Sequence, residues 1–306
     1  MTTAPAPTLQ QVSGQLTATA PFRLAQSLAF LGGFPPTQGE QVFAPQSVTK
    51  ALALAGQAVV YRLTADLSDP TTLAYTLWSA TPLSAADQAA VADRIAFFLS
   101  LGDDLQPFYA IGAADPQFAP IIRQLYGLHQ VKFPTPFENA AWAVLTQRNR
   151  MDIAAGMKGR LIARYGPHLT VEGTEYAAFP EPGVLATAAP GDLAALVGTA
   201  RRAEYLQAVA EAFVGADEDW LRHGPYDAVN AWLQGVRGLG PWSAGFVMLR
   251  GLGHMDRLPP GEGRRDAALA RTYGNDHQPS PDQVRAITEP YGPWIGYWAY
   301  YLRVAG

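Results

Sequence analysis

From Leu233 to Ala244 the chain reads Leu-Gln-Gly-Val-Arg-Gly-Leu-Gly-Pro-Trp-Ser-Ala. Leu233, Val236 and Leu239 are the apolar positions, Gly238 and Gly240 the turn, and Ala244 the close contact of a helix, tight turn and second helix. Glycine permits positive φ and lets another backbone approach. Main-chain amides of such a turn, with the N-terminus of the following helix, form a cradle suited to phosphate. A bare Gly-x-Gly would read as a packing turn between helices. The complete pattern is more specific and predicts a grip on a nucleic-acid backbone. Leu258-Pro-Pro-Gly-Glu262 then delivers a lone carboxylate from a Pro/Gly loop.

Composition bounds the alternatives. The 306 residues are 48% apolar and 16% charged, which suits two or three globular units. The absence of cysteine excludes a disulfide framework, a Cys-ligated zinc site and an iron–sulfur cluster on this chain, and fits a reducing cytoplasm. His129, His168, His223, His254 and His277 lack ligand spacing, so no metal or cofactor is expected. No apolar run approaches the roughly 20 residues of a membrane span, so a cytoplasmic monomer without a membrane partner is expected. A net charge of −4 argues against indiscriminate nucleic-acid binding. Residues 1–130 hold 5 Lys/Arg against 8 Asp/Glu, whereas residues 131–306 hold 17 against 18. Basic clusters such as Arg148/Arg150 and Arg201/Arg202 fit solvated helix faces as well as phosphate contacts. Charge alone decides nothing.

The N-terminal stretch 1–19, rich in Ala, Thr, Pro and Gln, predicts a flexible tail rather than a signal peptide. Residues 20–105 predict an α+β unit with a small antiparallel sheet. In it, 58–64 and 72–78 alternate like half-buried strands, and 21–31 and 84–101 read as helices. Ser84 is the expected N-cap of the second, with Asp87 in its first turn. Beyond Gln106 the strand signals disappear, and 106–306 predicts a two-lobed all-α domain. Phe137, Ala141, Val144 and Leu145 share one helical face; Ile153, Met157, Leu161 and Tyr165 recur every four residues up to Gly166-Pro167. Further helices fit 191–197, 200–214, 226–234, 242–250, 264–273, 281–289 and 294–304.

Three more segments complete a pattern. They are Pro136-Phe-Glu-Asn-Ala-Ala-Trp-Ala-Val-Leu-Thr-Gln147, Arg201-Arg-Ala-Glu-Tyr-Leu206 and Glu289-Pro-Tyr-Gly-Pro-Trp-Ile-Gly-Tyr-Trp-Ala-Tyr-Tyr-Leu302. With the turn and the Pro/Gly loop, residues 106–306 resemble the helix-hairpin-helix (HhH-GPD) DNA glycosylase superfamily. The preceding α+β unit makes the resemblance closer to the AlkA-type DNA-3-methyladenine glycosylase II family. It covers nearly the whole chain. It implies a monofunctional glycosylase of base-excision repair, hydrolysing the N-glycosidic bond of an alkylated base flipped out of damaged duplex DNA, without a cofactor.

The resemblance also implies roles. Where lyase members carry a Schiff-base lysine this chain has Trp242, so simple hydrolysis is expected. Trp242 and Phe246, one turn apart, would offer aromatic faces to the flipped base, although Phe246 also reads as a core residue. Glu262 occupies the position of the family's catalytic aspartate and would stabilise the oxocarbenium-like sugar and orient water. Asp266 is the second choice, and its favoured reading is a first-turn acid facing the helix dipole. Arg148, just after the Gln, would fill the hole left in the duplex, or is a plain corner residue. Gly263 and Arg303 stand where the family carries aromatics, implying a wider or more polar pocket. The alternatives are a catalytically weakened lesion-binding protein, a glycosylase for oxidised or deaminated bases, and a helical interaction protein.

Overall fold

The computed structural model describes residues 9–258, 263–274 and 280–306. Strands β1 (Gln10–Thr17), β2 (Gln41–Ala44), β3 (Ser47–Leu54), β4 (Gln57–Ala65) and β5 (Thr72–Ser79) form an antiparallel sheet ordered β1-β5-β4-β3-β2. Helices α1 (Leu24–Gly32) and α2 (Ala85–Phe98) share a core with the sheet: Leu24, Leu31, Val91, Ile95 and Phe98 meet Val59, Tyr61, Leu63 and Leu77. Ser84 caps α2 as expected, its hydroxyl accepting from Asp87 N at 3.1 Å while the Asp87 carboxylate takes the Ser84 amide at 3.0 Å.

Two expectations need correction. From Gln10 the supposed tail is β1, paired with β5 along its whole length. Its polar sequence hides it because an edge strand with one neighbour draws its order from ladder bonds more than from apolar burial. Strands also recur beyond Gln106: β6 (His168–Val171) and β7 (Thr174–Ala177) form a hairpin closed by Glu172-Gly173, at φ 50° and 79°. Strands of four residues are too short for alternation to register. Val171, Tyr176 and Ala178 pack on Ala51, Val60 and Trp78, covering the second face of the sheet. Val59, Val60 and Tyr61 are therefore buried in succession instead of alternating.

The helices are α3 (Gln106–Ala114), α4 (Ala119–Gln124), α5 (Pro136–Leu145), α6 (Met151–Tyr165), α7 (Pro182–Ala186), α8 (Pro190–Val197), α9 (Ala200–Val214), α10 (Glu218–His223), α11 (Tyr226–Gly235), α12 (Pro241–Val247), α13 (Gly263–Tyr273), α14 (Pro281–Thr288) and α15 (Ile295–Ala305). One core gathers residues of α5 to α12; a second joins α3 and α4 to α13 and α15. The second lobe thus draws on both ends of the helical region.

Helix α5 departs from the one-faced helix expected of it, since every one of its residues is buried. That includes Glu138, which a buried site tolerates only with partners. Lys158 on α6 supplies one at 2.6 Å and also donates to Pro36 O at 2.7 Å and to Glu40. Glu40 in turn accepts from Lys50 of β3 at 2.7 Å. Burial works to raise the Glu40 carboxyl, yet Lys158 and Lys50 together hold it below its ordinary value. Burial pushes the Glu138 carboxyl up, with Lys158 offsetting only part. Two lysines and two glutamates therefore fasten the sheet layer to α5 and α6.

Candidate nucleic-acid interface and base cleft

Helix α11 ends where Val236 N donates to Leu233 O at 3.1 Å, and the turn closes with Leu239 N to Val236 O at 3.0 Å. Leu233, Val236, Leu239 and Ala244 are buried, as the pattern requires. Gly238 adopts φ +101°, and a Cβ there would stand 2.7 Å from Cβ of Tyr205 on α9. Both conformation and approach demand glycine. Gly240 differs: a Cβ on it would meet nothing within 4 Å, so its surroundings are open. The first-turn amides of Trp242 and Ser243 have no intrahelical acceptor. The Arg201 and Arg237 guanidiniums lie over the Tyr205 ring at 5.4 and 5.8 Å beside the turn, Arg237 also pairing with the Glu204 carboxylate at 2.7 Å. Gly238→Ala is expected to strain the turn by about 1–3 kcal/mol and to weaken binding of a short duplex by about tenfold or more, with helicity intact. Fluorescence anisotropy at low salt measures the binding and circular dichroism the helicity.

Trp242 is 40% exposed and stacks flat on Phe246, with centroids 5.3 Å apart and planes 7° from parallel. Phe246 lines a cleft of about 470 Å³ together with Phe30, Phe34, Trp142, Met151 and Arg250. The expected aromatic pair is therefore a continuous surface leading from the exposed hairpin to the cleft. A π-turn after α12 (Met248–Leu252) carries Arg250 into the cleft wall. Its Nη2 donates to Val131 O at 2.7 Å, and its guanidinium lies 5.2–5.4 Å from the ring centres of Phe30, Phe34 and Tyr300. Arg303 lines the same cleft and lies over Tyr300 at 5.9 Å. The pocket is more polar at that position than an aromatic would make it.

Arg148 is exposed at the end of α5, with φ +57° and no ion pair among the described residues. Glu262 lies outside the described residues. Asp266 falls within α13, but its side chain is outside them too. The far end of that helix is anchored: Tyr273 donates to the Asp115 carboxylate at 2.6 Å, beside Tyr291 at 2.9 Å.

Sequence reasoning missed Phe30, Phe34, Tyr205 and Arg250. Tyr205 lies in the segment Arg201–Leu206 that carried the resemblance, and Arg250 shows as a charge inside the apolar run Val247-Met-Leu-Arg-Gly-Leu252. Among the described residues, no group of three or more His, Asp or Glu could hold a metal, and no helix is long and apolar enough to cross a membrane.

Comparison with known proteins places the sequence and the fold. The chain is 27% identical over 208 residues to the DNA-3-methyladenine glycosylase of Bacillus subtilis (strain 168), covering 67% of this chain and 68% of that protein. It is 30% identical over 161 residues to DNA-3-methyladenine glycosylase 2 of Escherichia coli (strain K12), covering 53% of this chain and 54% of that one. A solved 3-methyladenine DNA-glycosylase from Archaeoglobus fulgidus superposes with a TM-score of 0.79 at 19% identity, over 95% of this chain and 97% of that one. Residues 141–293 match the HhH-GPD superfamily base excision DNA repair proteins, and with the hairpin and both lobes in place the chain belongs to that family.

Proposed function

We propose that the protein is a monofunctional DNA glycosylase that releases alkylated bases from duplex DNA. The observation that carries this is the Trp242–Phe246 stack, which joins a phosphate-gripping hairpin to an aromatic cleft. Bacillus and Escherichia relatives named for 3-methyladenine support the substrate class. The turn amides, assisted by Arg201 and Arg237, hold a phosphate. Arg148 occupies the space the extruded base vacates. The base enters the cleft and stacks on Phe246, continuous with Trp242. Glu262 stabilises the positive charge that develops on the sugar as the C1′–N bond breaks, and orients the water that completes the bond to C1′. Trp242 offers no amine for a Schiff base, so strand cleavage does not follow. The polar wall formed by Arg250 and Arg303 favours, as a second reading, a glycosylase for oxidised or deaminated bases.

Duplexes carrying 3-methyladenine, ethenoadenine or hypoxanthine separate these readings after incubation and alkali treatment. Alkali-dependent breaks at alkylated sites, with no covalent adduct after borohydride, are expected. Breaks without alkali, or a trapped adduct, would contradict simple hydrolysis. Tight duplex binding with no abasic product would leave a lesion-binding protein.

A further inference from the structure

One contact ties the two parts that meet DNA. Gln147 Nε2 donates to the carbonyl of Gly238 at 2.7 Å, bridging 91 positions of sequence. Gln147 immediately precedes Arg148 in the corner after α5, and Gly238 is the positive-φ glycine of the hairpin. The segment around it is otherwise fixed from within: Asn149 Nδ2 donates to Leu145 O at 2.9 Å, and Asn149 N to Thr146 O at 3.1 Å. Gln147 is the side chain of this corner that reaches across to the hairpin.

We propose that Gln147 is a positioning residue that sets the register between the hairpin and Arg148. The inference rests on the glycosylase reading above. A hairpin seated on a phosphate fixes where the duplex lies; the Gln147 bond then fixes where Arg148 stands relative to it. Loss of the bond leaves both elements folded but lets the corner move against the hairpin. Gripping and extrusion then come apart.

Gln147→Met keeps the side chain's bulk and removes the donor. Gln147→Glu keeps the shape but sets an acceptor against the Gly238 carbonyl until the carboxyl is protonated, when its O–H donates in place of the amide. Extrusion is read from the fluorescence of 2-aminopurine beside the lesion, and grip from duplex anisotropy. For Gln147→Met the expected result is about a tenfold loss of extrusion signal and of kcat, with duplex Kd and KM within about threefold. Gln147→Glu should recover extrusion as pH falls from 8 to 5, while Gln147→Met does not. In a double-mutant cycle, Gln147→Met should add little to Arg148→Ala, because it acts through that residue. Unchanged extrusion in Gln147→Met, no pH recovery in Gln147→Glu, or fully additive losses would overturn the proposal. A wild-type protein that neither binds nor extrudes would instead sink the glycosylase reading.

Discussion

Glu262→Gln is expected to slow base release by on the order of 10²- to 10³-fold while leaving duplex affinity unchanged. The amide keeps the side chain's size and hydrogen-bonding capacity but removes the charge that opposes the developing cation on the sugar. On the proposed reading the hairpin carries the binding, so the loss should fall on kcat. Asp266→Asn is the control, since its expected role is to complement the N-terminal dipole of α13, worth only about 0.3–1 kcal/mol. Glu262→Asp asks how the site is fitted: shortening the side chain retracts the carboxylate by about 1.5 Å, and misplacement of about 1 Å costs on the order of 10²-fold. A cleft shaped for glutamate therefore loses activity with aspartate. Single-turnover release from an ethenoadenine or 3-methyladenine duplex measures all three. Full activity in Glu262→Gln together with loss in Asp266→Asn would move the catalytic role to Asp266.

The largest expected loss of stability is at Lys158. Its ammonium is buried and shared by Glu138, Glu40 and Pro36 O. Lys158→Met fills the space but leaves Glu138 without its counter-charge, a change expected to cost about 3–5 kcal/mol. A lowered urea midpoint with unchanged slope is the measurement. Lys158→Met with Glu138→Gln removes both charges and should recover much of the loss, because Glu40 keeps Lys50. If the double variant is no better than the single, shape rather than charge explains the effect. Burial acts against the Lys158 charge, but Glu138 and Glu40 outweigh it and raise its value above the ordinary 10.5. Its contribution is thus complete below that pH and is lost as pH rises through the higher folded value.

The sequence disclosed most where function needs a fixed local pattern. The hairpin is legible because Gly238 must accept positive φ and press on Tyr205, conditions no other residue meets. Trp242 and Phe246 were legible through their spacing, and their stacking follows from one helical turn. Strand β1 was hidden by its glutamines, and β6 with β7 by their brevity. The cleft was the least legible part. Its walls come from α1, α4, α5, α6, α12, α15, the π-turn after α12 and the loops after α1 and α4, and no periodicity records which elements will meet. Glu262 is legible only through its place in the Pro/Gly loop of the sequence, and its proposed role rests on that position.

Phe30 and Phe34 stand in the cleft wall yet lie more than a hundred positions before the region shared with the rest of the superfamily. The part of the chain that carries the reaction therefore does not by itself define the shape it accepts. Two members with the same helical lobes but different segments around residue 30 would present different cavities to the same extruded base. Lesion preference in such enzymes can change through the N-terminal layer while hairpin and acid stay constant. A chimera exchanging only 20–40 is expected to shift the substrate range, read as relative release from ethenoadenine and hypoxanthine duplexes, and to keep its own mode of gripping DNA.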